Sequence, residues 1–243
     1  MIEFNIDPVL FHIGNLEIRY YGLVYFLGII LVYFYLKKKK VIEEEKLERL
    51  VLYLSVGMLI GARITGLISQ GVNLLKEPLE FFRIWNGGMS FFGGFLGALI
   101  GGYVVLKKEL LKISDFVVVP LSLVLIFGRL ANFINQELIG KVTNVSWCFS
   151  VNQVCRHPYT LYAAFGHLIL FLIVYFASRK NYRRGNVFFT FILGYGVLRL
   201  ITDFFKERTE IFGLSIWQYL SIGFIVAGIY YLVRNRKNKG QTI

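Results

Sequence analysis

Negative charge, histidine and cysteine are all scarce in this chain: 15 Asp and Glu stand against 27 Lys and Arg, with three His and two Cys in 243 residues. Two cysteines without a nearby histidine pair argue against a zinc site. Charged residues make up only 17% of the chain, against 56% hydrophobic and 17% aromatic, and the mean hydropathy is +0.59. An ordinary soluble domain of this length is excluded by that balance. No long repeat and no low-complexity tract is present. Met1-Ile-Glu-Phe-Asn-Ile-Asp-Pro8 is slightly acidic, and no small-residue cleavage site follows the first apolar run. A signal peptide is therefore not expected, and the first apolar run is expected to stay in the mature protein.

What remains is a series of apolar runs, several of about 18 or more residues, long enough to cross a hydrocarbon core roughly 30 Å thick. An all-α polytopic membrane protein follows as the expected fold, a single membrane domain over residues 1–243. Its seven spans fall roughly at 18–36, 51–69, 89–106, 115–135, 158–177, 186–204 and 215–233. The net charge of +12 raises nucleic acid as a partner. The positive residues fall instead in short clusters between apolar runs, as membrane topology requires, so no nucleic-acid partner is expected. Lys37–Lys40, Lys107, Lys108 and Lys112, Arg179–Arg184, and Arg234–Lys239 follow alternate spans. The loops 70–88, 136–157 and 205–214 are poorer in Lys and Arg and become the outer loops, with the N-terminus outside and the C-terminus in the cytoplasm.

The 72–85 segment mixes Leu74, Leu75, Leu79, Phe81, Phe82 and Trp85 with Lys76, Glu77, Glu80 and Arg83. That mix suits a helix lying at the outer interface, as a surface anchor or as a lateral gate for lipid. Gly93, Gly97 and Gly101 have the spacing that lets one span pack tightly against a neighbour. Gly87-Gly88-Met89-Ser90 reads differently, as an irregular stretch whose backbone N–H groups could serve a ligand. Cys148 and Cys155 share one outer loop, where a disulfide-closed hairpin and two free thiols are both open.

Three arginines lie inside apolar runs. Arg129, in Leu121–Gly140, cannot shed its proton, and hydrocarbon charges several kcal/mol for it by the mildest estimates. Asn132, Asn135 and Glu137 follow at helical or near-helical spacing, so a polar cluster sits at one depth. It reads as a site for an anion that lives in the membrane, because guanidinium grips phosphate oxygens in a bidentate fork. Arg199 could close a self-contained pair with Asp203 four residues on, or join Arg129 as a two-point clamp. Arg63 could serve the same pocket or cap a buried carboxylate. His157, before Pro158, could be structural or catalytic. Tyr20 and Tyr21 sit where interfacial belt residues usually do. His12 and His167 give no pattern.

Gly128-Arg129-Leu-Ala-Asn132-Phe133-Ile-Asn135-Gln-Glu137-Leu-Ile-Gly140 closely resembles the signature of bacterial prolipoprotein diacylglyceryl transferases. Matches continue through Ile6-Asp7-Pro8, Arg19-Tyr20-Tyr21-Gly22-Leu23, Gly87-Gly88-Met89-Ser90-Phe91, Arg156-His157-Pro158, Gly194-Tyr-Gly with Arg199 and Asp203, and Gln218. The resemblance implies a transferase of the bacterial inner membrane. It would move the diacylglyceryl group of phosphatidylglycerol to the lipobox cysteine of a prolipoprotein and release glycerol 1-phosphate, without metal or cofactor. By motif, Arg129 would bind the phosphatidylglycerol head group and Arg199 would hold the phosphate as it leaves. Asn132, Asn135, Glu137 and Gly140 would share the site, with Gly88 and Ser90 also against the lipid, and Tyr21 would match the family's important tyrosine. Three positions depart from the pattern. Phe92 replaces a histidine suited to proton handling, Ala163 stands for a glutamate and Thr160 for a glutamine. The proton of the attacking thiol is then left to His157, Glu137 or water, or the activity is lost and a phosphatidylglycerol-binding relative remains.

Overall fold

The computed structural model describes residues 2–3, 6–13, 16–83, 88–136, 138–151, 153–180, 183–207 and 210–237. Backbone packing divides the chain into two compact units, one of residues 1–30 with 114–243 and one of residues 31–113. Seven α-helices are present among the described residues: α1 (Tyr20–Lys39), α2 (Glu44–Ser69), α3 (Phe91–Leu106), α4 (Leu110–Ile134), α5 (Tyr159–Ser178), α6 (Asn186–Thr202) and α7 (Ile216–Lys237). Among the described residues five stretches are long and apolar enough to cross a membrane: Glu44–Ser69, Phe91–Ile134, Tyr159–Ser178, Asn186–Phe205 and Ile216–Arg236. The second of these holds both α3 and α4, joined by a 3-10 turn at Lys107–Glu109.

The unit of residues 31–113 is organised by a glycine seam. A Cβ on Gly57 would lie 2.2 Å from the Gly97 carbonyl oxygen, one on Gly61 2.2 Å from that of Gly93, and one on Gly101 2.1 Å from that of Tyr53. The backbones of α2 and α3 therefore touch, which is how helices gain dispersion contact where lipid offers no hydrophobic drive. Ser90 starts α3: its hydroxyl accepts from the Gly93 N–H at 3.5 Å and its N–H donates to Ala62 at 3.0 Å.

The interfacial helix expected over 72–85 is not formed. Only a 3-10 turn at Pro78–Phe81 is present, and residues 84–87 lie outside the described residues. The Asn73 side chain accepts from the Leu75 N–H at 3.0 Å and fixes a turn, and Pro78 cannot extend a helix backwards from its own position. Arg63, buried at 2% exposure, holds this loop by donating to the carbonyls of Glu80, Phe81 (3.1 Å) and Arg83 (2.7 Å). Its guanidinium thus satisfies orphan backbone carbonyls of this loop.

In the other unit, β2 (Val9–Ile13) and β3 (Leu16–Arg19) pair antiparallel. A three-stranded sheet orders β1 (Ile2–Glu3), β4 (Phe149–Val151) and β5 (Val154–Arg156) as β1-β4-β5, with β1 parallel to β4. A disulfide between Cys148 and Cys155 closes the β4–β5 hairpin. The Asp115 carboxylate on α4 accepts from the N–H groups of Gly185 (2.6 Å) and Phe188 (2.8 Å), satisfying orphan donors at the start of α6.

One backbone lattice positions the residues of interest. The Lys141 N–H donates to Phe205 (2.9 Å) and the Glu207 N–H to Ile139 (3.0 Å), so residues 139–141 run beside 205–207. On the other side the His157 N–H donates to Lys141 and the Thr143 N–H to Cys155, both at 3.0 Å. The end of the arginine-bearing segment of α4 is thus laced to the end of α6 and the start of α5.

Candidate functional site

Four elements of the larger unit bring charge together. Arg129 on α4 is 9% exposed, and Asn132, one turn later, is buried with it. Arg199 on α6 donates to the Tyr159 hydroxyl at the start of α5 and reaches the Asp203 carboxylate at 3.4 Å. The self-contained pair is therefore present, and it does not isolate Arg199. The charges of Arg129 and Arg199 both reach the His167 imidazole, the Tyr195 hydroxyl and the Lys206 ammonium. The two guanidiniums therefore act on the same three groups.

Asp203 is fully buried and its other oxygen accepts from Ser215, whose N–H is in turn held by Gln218 at 3.0 Å. This chain of bonds fixes the carboxylate, and the carboxylate orients Arg199. Among the described residues no carboxylate lies within salt-bridge distance of Arg129. Among the described residues, the charges that bear on Lys206 are those of Arg199, Arg129 and the Asp203 carboxylate, so three cations share one anion. Such an excess, partly buried, favours an anionic ligand.

Lys206 lies just past the apolar stretch ending at Phe205 and is half-buried. Burial first, then the Arg199 and Arg129 charges, pushes its ammonium down to about 8, with Asp203 opposing. In sequence, a lone lysine after an apolar run looks like any topology charge. Its tie to the motif comes from the backbone bridge to Gly140.

His167 is the second such residue. It is 2% exposed, near the middle of α5, with its ring 5.7 Å from that of Tyr195 in an edge contact. The only sequence signal available was that Tyr195 precedes Arg199 by one helical turn on the same face.

The remaining candidates divide. His157 is half-buried. Its Nδ1 stands 3.3 Å from the Tyr162 hydroxyl, which accepts from Trp147 at 2.7 Å, and its ring packs 5.2 Å from Phe205. It lines a recess with Phe133, Gly140, Phe149, Arg156 and Tyr159. Gly140 is required by close approach: a Cβ there would lie 2.1 Å from the His157 carbonyl oxygen. Asn135 borders a separate open cleft with Ile6, Asp7 and Pro8. Gly88 and Ser90 belong to the unit of residues 31–113, where Gly88 adopts φ +74° and the Ser90 hydroxyl caps α3. Glu137 and the side chain of Tyr21 lie outside the described residues. Phe92 is half-buried with its ring 5.9 Å from Phe91.

Comparison with known proteins gives a consistent result. The family model described as prolipoprotein diacylglyceryl transferase matches residues 8–234. A phosphatidylglycerol–prolipoprotein diacylglyceryl transferase of Geobacter sulfurreducens is 34% identical, over 97% of this chain and 97% of its own. One of Idiomarina loihiensis is 37% identical over 96% and 94%, and one of Cupriavidus metallidurans 33% over 100% and 98%.

Proposed function

This chain belongs to the prolipoprotein diacylglyceryl transferase family, and on that premise we infer that it is a multi-pass membrane transferase moving the diacylglyceryl group of phosphatidylglycerol to a prolipoprotein, the first step of lipoprotein maturation. The acceptor is the thiol of a lipobox cysteine in the prolipoprotein's signal peptide. The enzyme resides in the bacterial inner membrane, with seven spans, the N-terminus outside and the C-terminus in the cytoplasm.

The reaction forms a carbon–sulfur bond and breaks a carbon–oxygen bond. The thiolate attacks the glyceryl carbon, the electron pair of the broken bond goes to phosphate oxygen, and glycerol 1-phosphate departs. The thiol proton leaves through solvent or a nearby acceptor, since the thiolate is the nucleophile. Negative charge grows on the phosphate as the bond breaks. Fixed guanidiniums therefore stabilise the transition state more than the bound lipid, which is the condition for raising the rate. Arg129 and Arg199 serve as that clamp, and Lys206 adds a third cation. Asn132 orients the head group, and Tyr21, Glu137 and His157 contribute from the same signature. Asn135, Gly140, Gly88 and Ser90 are carried from the motif as positions close to the lipid.

The observation supporting this reading is the joint reach of Arg129 and Arg199 to His167, Tyr195 and Lys206. It is tested by incubating membranes holding the protein with phosphatidylglycerol and a lipobox peptide. A thioether-linked diacylglyceryl peptide is expected. Phosphatidylglycerol bound without product would instead make this a lipid-binding relative, the reading that Phe92 raises.

A further inference from the structure

His167 presents a buried hydrogen-bonding atom that the protein leaves unused. Its Nδ1 stands 2.6 Å from the Ala163 carbonyl oxygen one turn back on α5. A carbonyl oxygen only accepts, so Nδ1 carries a proton and donates. In the neutral ring Nε2 then bears a lone pair. That Nε2 is buried and has no hydrogen-bond partner among the described residues. The residue is 2% exposed, so bulk water does not satisfy it. Burying an unsatisfied acceptor is costly, and in native structures such an atom calls for a functional partner, a water or an ion.

The surroundings restrict what that ligand group can be. The charges of Arg129 and Arg199 both reach the ring. A cationic donor is disfavoured there by repulsion. Phosphate diester oxygens only accept, so they go to the arginines and not to Nε2. A neutral O–H, N–H or S–H is left, and the lipid can offer only O–H. In the substrate of the proposed reaction, hydroxyls occur on the head-group glycerol, a few bonds from the phosphate that the arginines hold.

We propose that His167 Nε2 accepts a hydrogen bond from a hydroxyl of the glycerol head group, making His167 a specificity-determining residue that reads the polyol beside the phosphate clamp. The proposal rests on the transferase reading above. His167 takes no part in bond making; it selects which phospholipid is seated. A zwitterionic lipid carries a cation and is repelled, while a head group without hydroxyls leaves Nε2 unpaired. Sites built to bond a hydroxyl discriminate strongly against the analogue lacking it for this reason.

The test compares phosphatidylglycerol with phosphatidylpropanol, the same diester without head-group hydroxyls, as donors to one lipobox peptide. The wild-type protein is expected to prefer phosphatidylglycerol in kcat/KM by about 10- to 100-fold, the range for one unsatisfied buried acceptor. His167→Phe is expected to lose that preference by slowing only the phosphatidylglycerol reaction. His167→Gln places a carbonyl oxygen near the position of Nε2 and is expected to restore it. A structural role would slow both lipids together, and so would a bond to the acceptor thiol. Equal loss on both lipids, or a wild type that uses both equally, overturns the proposal. The wild-type comparison stands even where His167→Phe fails to fold. A wild type that lipidates the peptide from neither lipid sinks the transferase reading itself, a result distinct from lost discrimination.

Discussion

Lys206 and Gly140 face each other across an antiparallel backbone bridge. The flanking bonds, Lys141 to Phe205 and Glu207 to Ile139, fasten the glycine that closes the arginine motif to the turn that ends α6. Lys206 is held by this pairing, half-buried, where it feels Arg199, Arg129 and Asp203 together. A residue indistinguishable from a topology charge in the sequence becomes the titratable member of the cationic group.

A pH dependence follows. Burial, Arg199 and Arg129 bring the Lys206 ammonium to about 8. Below that pH it is charged and attracts phosphate; above it the attraction is lost. The KM for phosphatidylglycerol is expected to rise as pH passes upward through about 8, and Lys206→Arg to keep KM flat over the same range. Stability moves the other way. The folded value lies below the ordinary 10.5, so between the two the unfolded chain holds more protons, and the cost of the buried ammonium is relieved as pH rises. A wild-type KM that stays constant from about pH 7 to 9 would remove Lys206 from lipid binding.

Arg129 and Arg63 show how far a buried arginine can be read without coordinates. Both interrupt apolar runs, and each is conspicuous because hydrocarbon penalises the charge. Arg63 spends its donors on the carbonyls of Glu80, Phe81 and Arg83. Arg129 has no salt-bridged carboxylate among the described residues. The types agree and the partners differ, and partners come from tertiary packing. The same limit explains the missing 72–85 helix: amphipathic composition survives whether or not the backbone is helical, and the Asn73 turn and Pro78 decide it. His167 stayed hidden because a lone histidine has no periodicity to betray it. The Arg199–Asp203 pair was legible since a helix places residues four apart on one face.

The two arginines therefore respond differently to substitution. Arg129→Lys is expected to lower kcat/KM by about 100-fold or more, because an ammonium lacks the planar fork that follows phosphate oxygens in the transition state. Arg63→Lys is expected to loosen residues 80–83, seen as faster proteolysis there, with head-group preference unchanged. Transferase assays and limited proteolysis on both variants separate the cases. Full activity in Arg129→Lys would remove the clamp.

Gly140→Ala tests the lattice. The added Cβ would meet the His157 carbonyl oxygen at 2.1 Å and its carbon at 2.9 Å, so backbone must move rather than a side chain. Overpacking of this kind costs about 1–3 kcal/mol. The segment of Arg156 and His157, at the end of β5, shifts relative to Lys206, so thermal midpoint in detergent and activity are expected to fall together. Lost activity at an unchanged midpoint would point to a direct lipid contact at Gly140 instead.

The disulfide links stability to topology. Cys148 and Cys155 are 7 residues apart, and Cys148 is 3% exposed. Closing so short a loop is worth about 2–3 kcal/mol in the chain-entropy account. Cys148→Ser with Cys155→Ser, or reductant on the wild type, is expected to lower the thermal midpoint and loosen the β4–β5 hairpin. A disulfide persists only outside the reducing cytoplasm. The proposed orientation places residues 136–157 outside, so thiol-alkylating reagent added to intact cells should label neither cysteine until a reductant is supplied. Immediate labelling of both without reductant would refute the bond, and a label reaching them only after the cytoplasm is opened would reverse the orientation. Either result would bear on the mechanism as well, because the hairpin's Phe149 and Arg156 line the recess that Gly140 and His157 enclose.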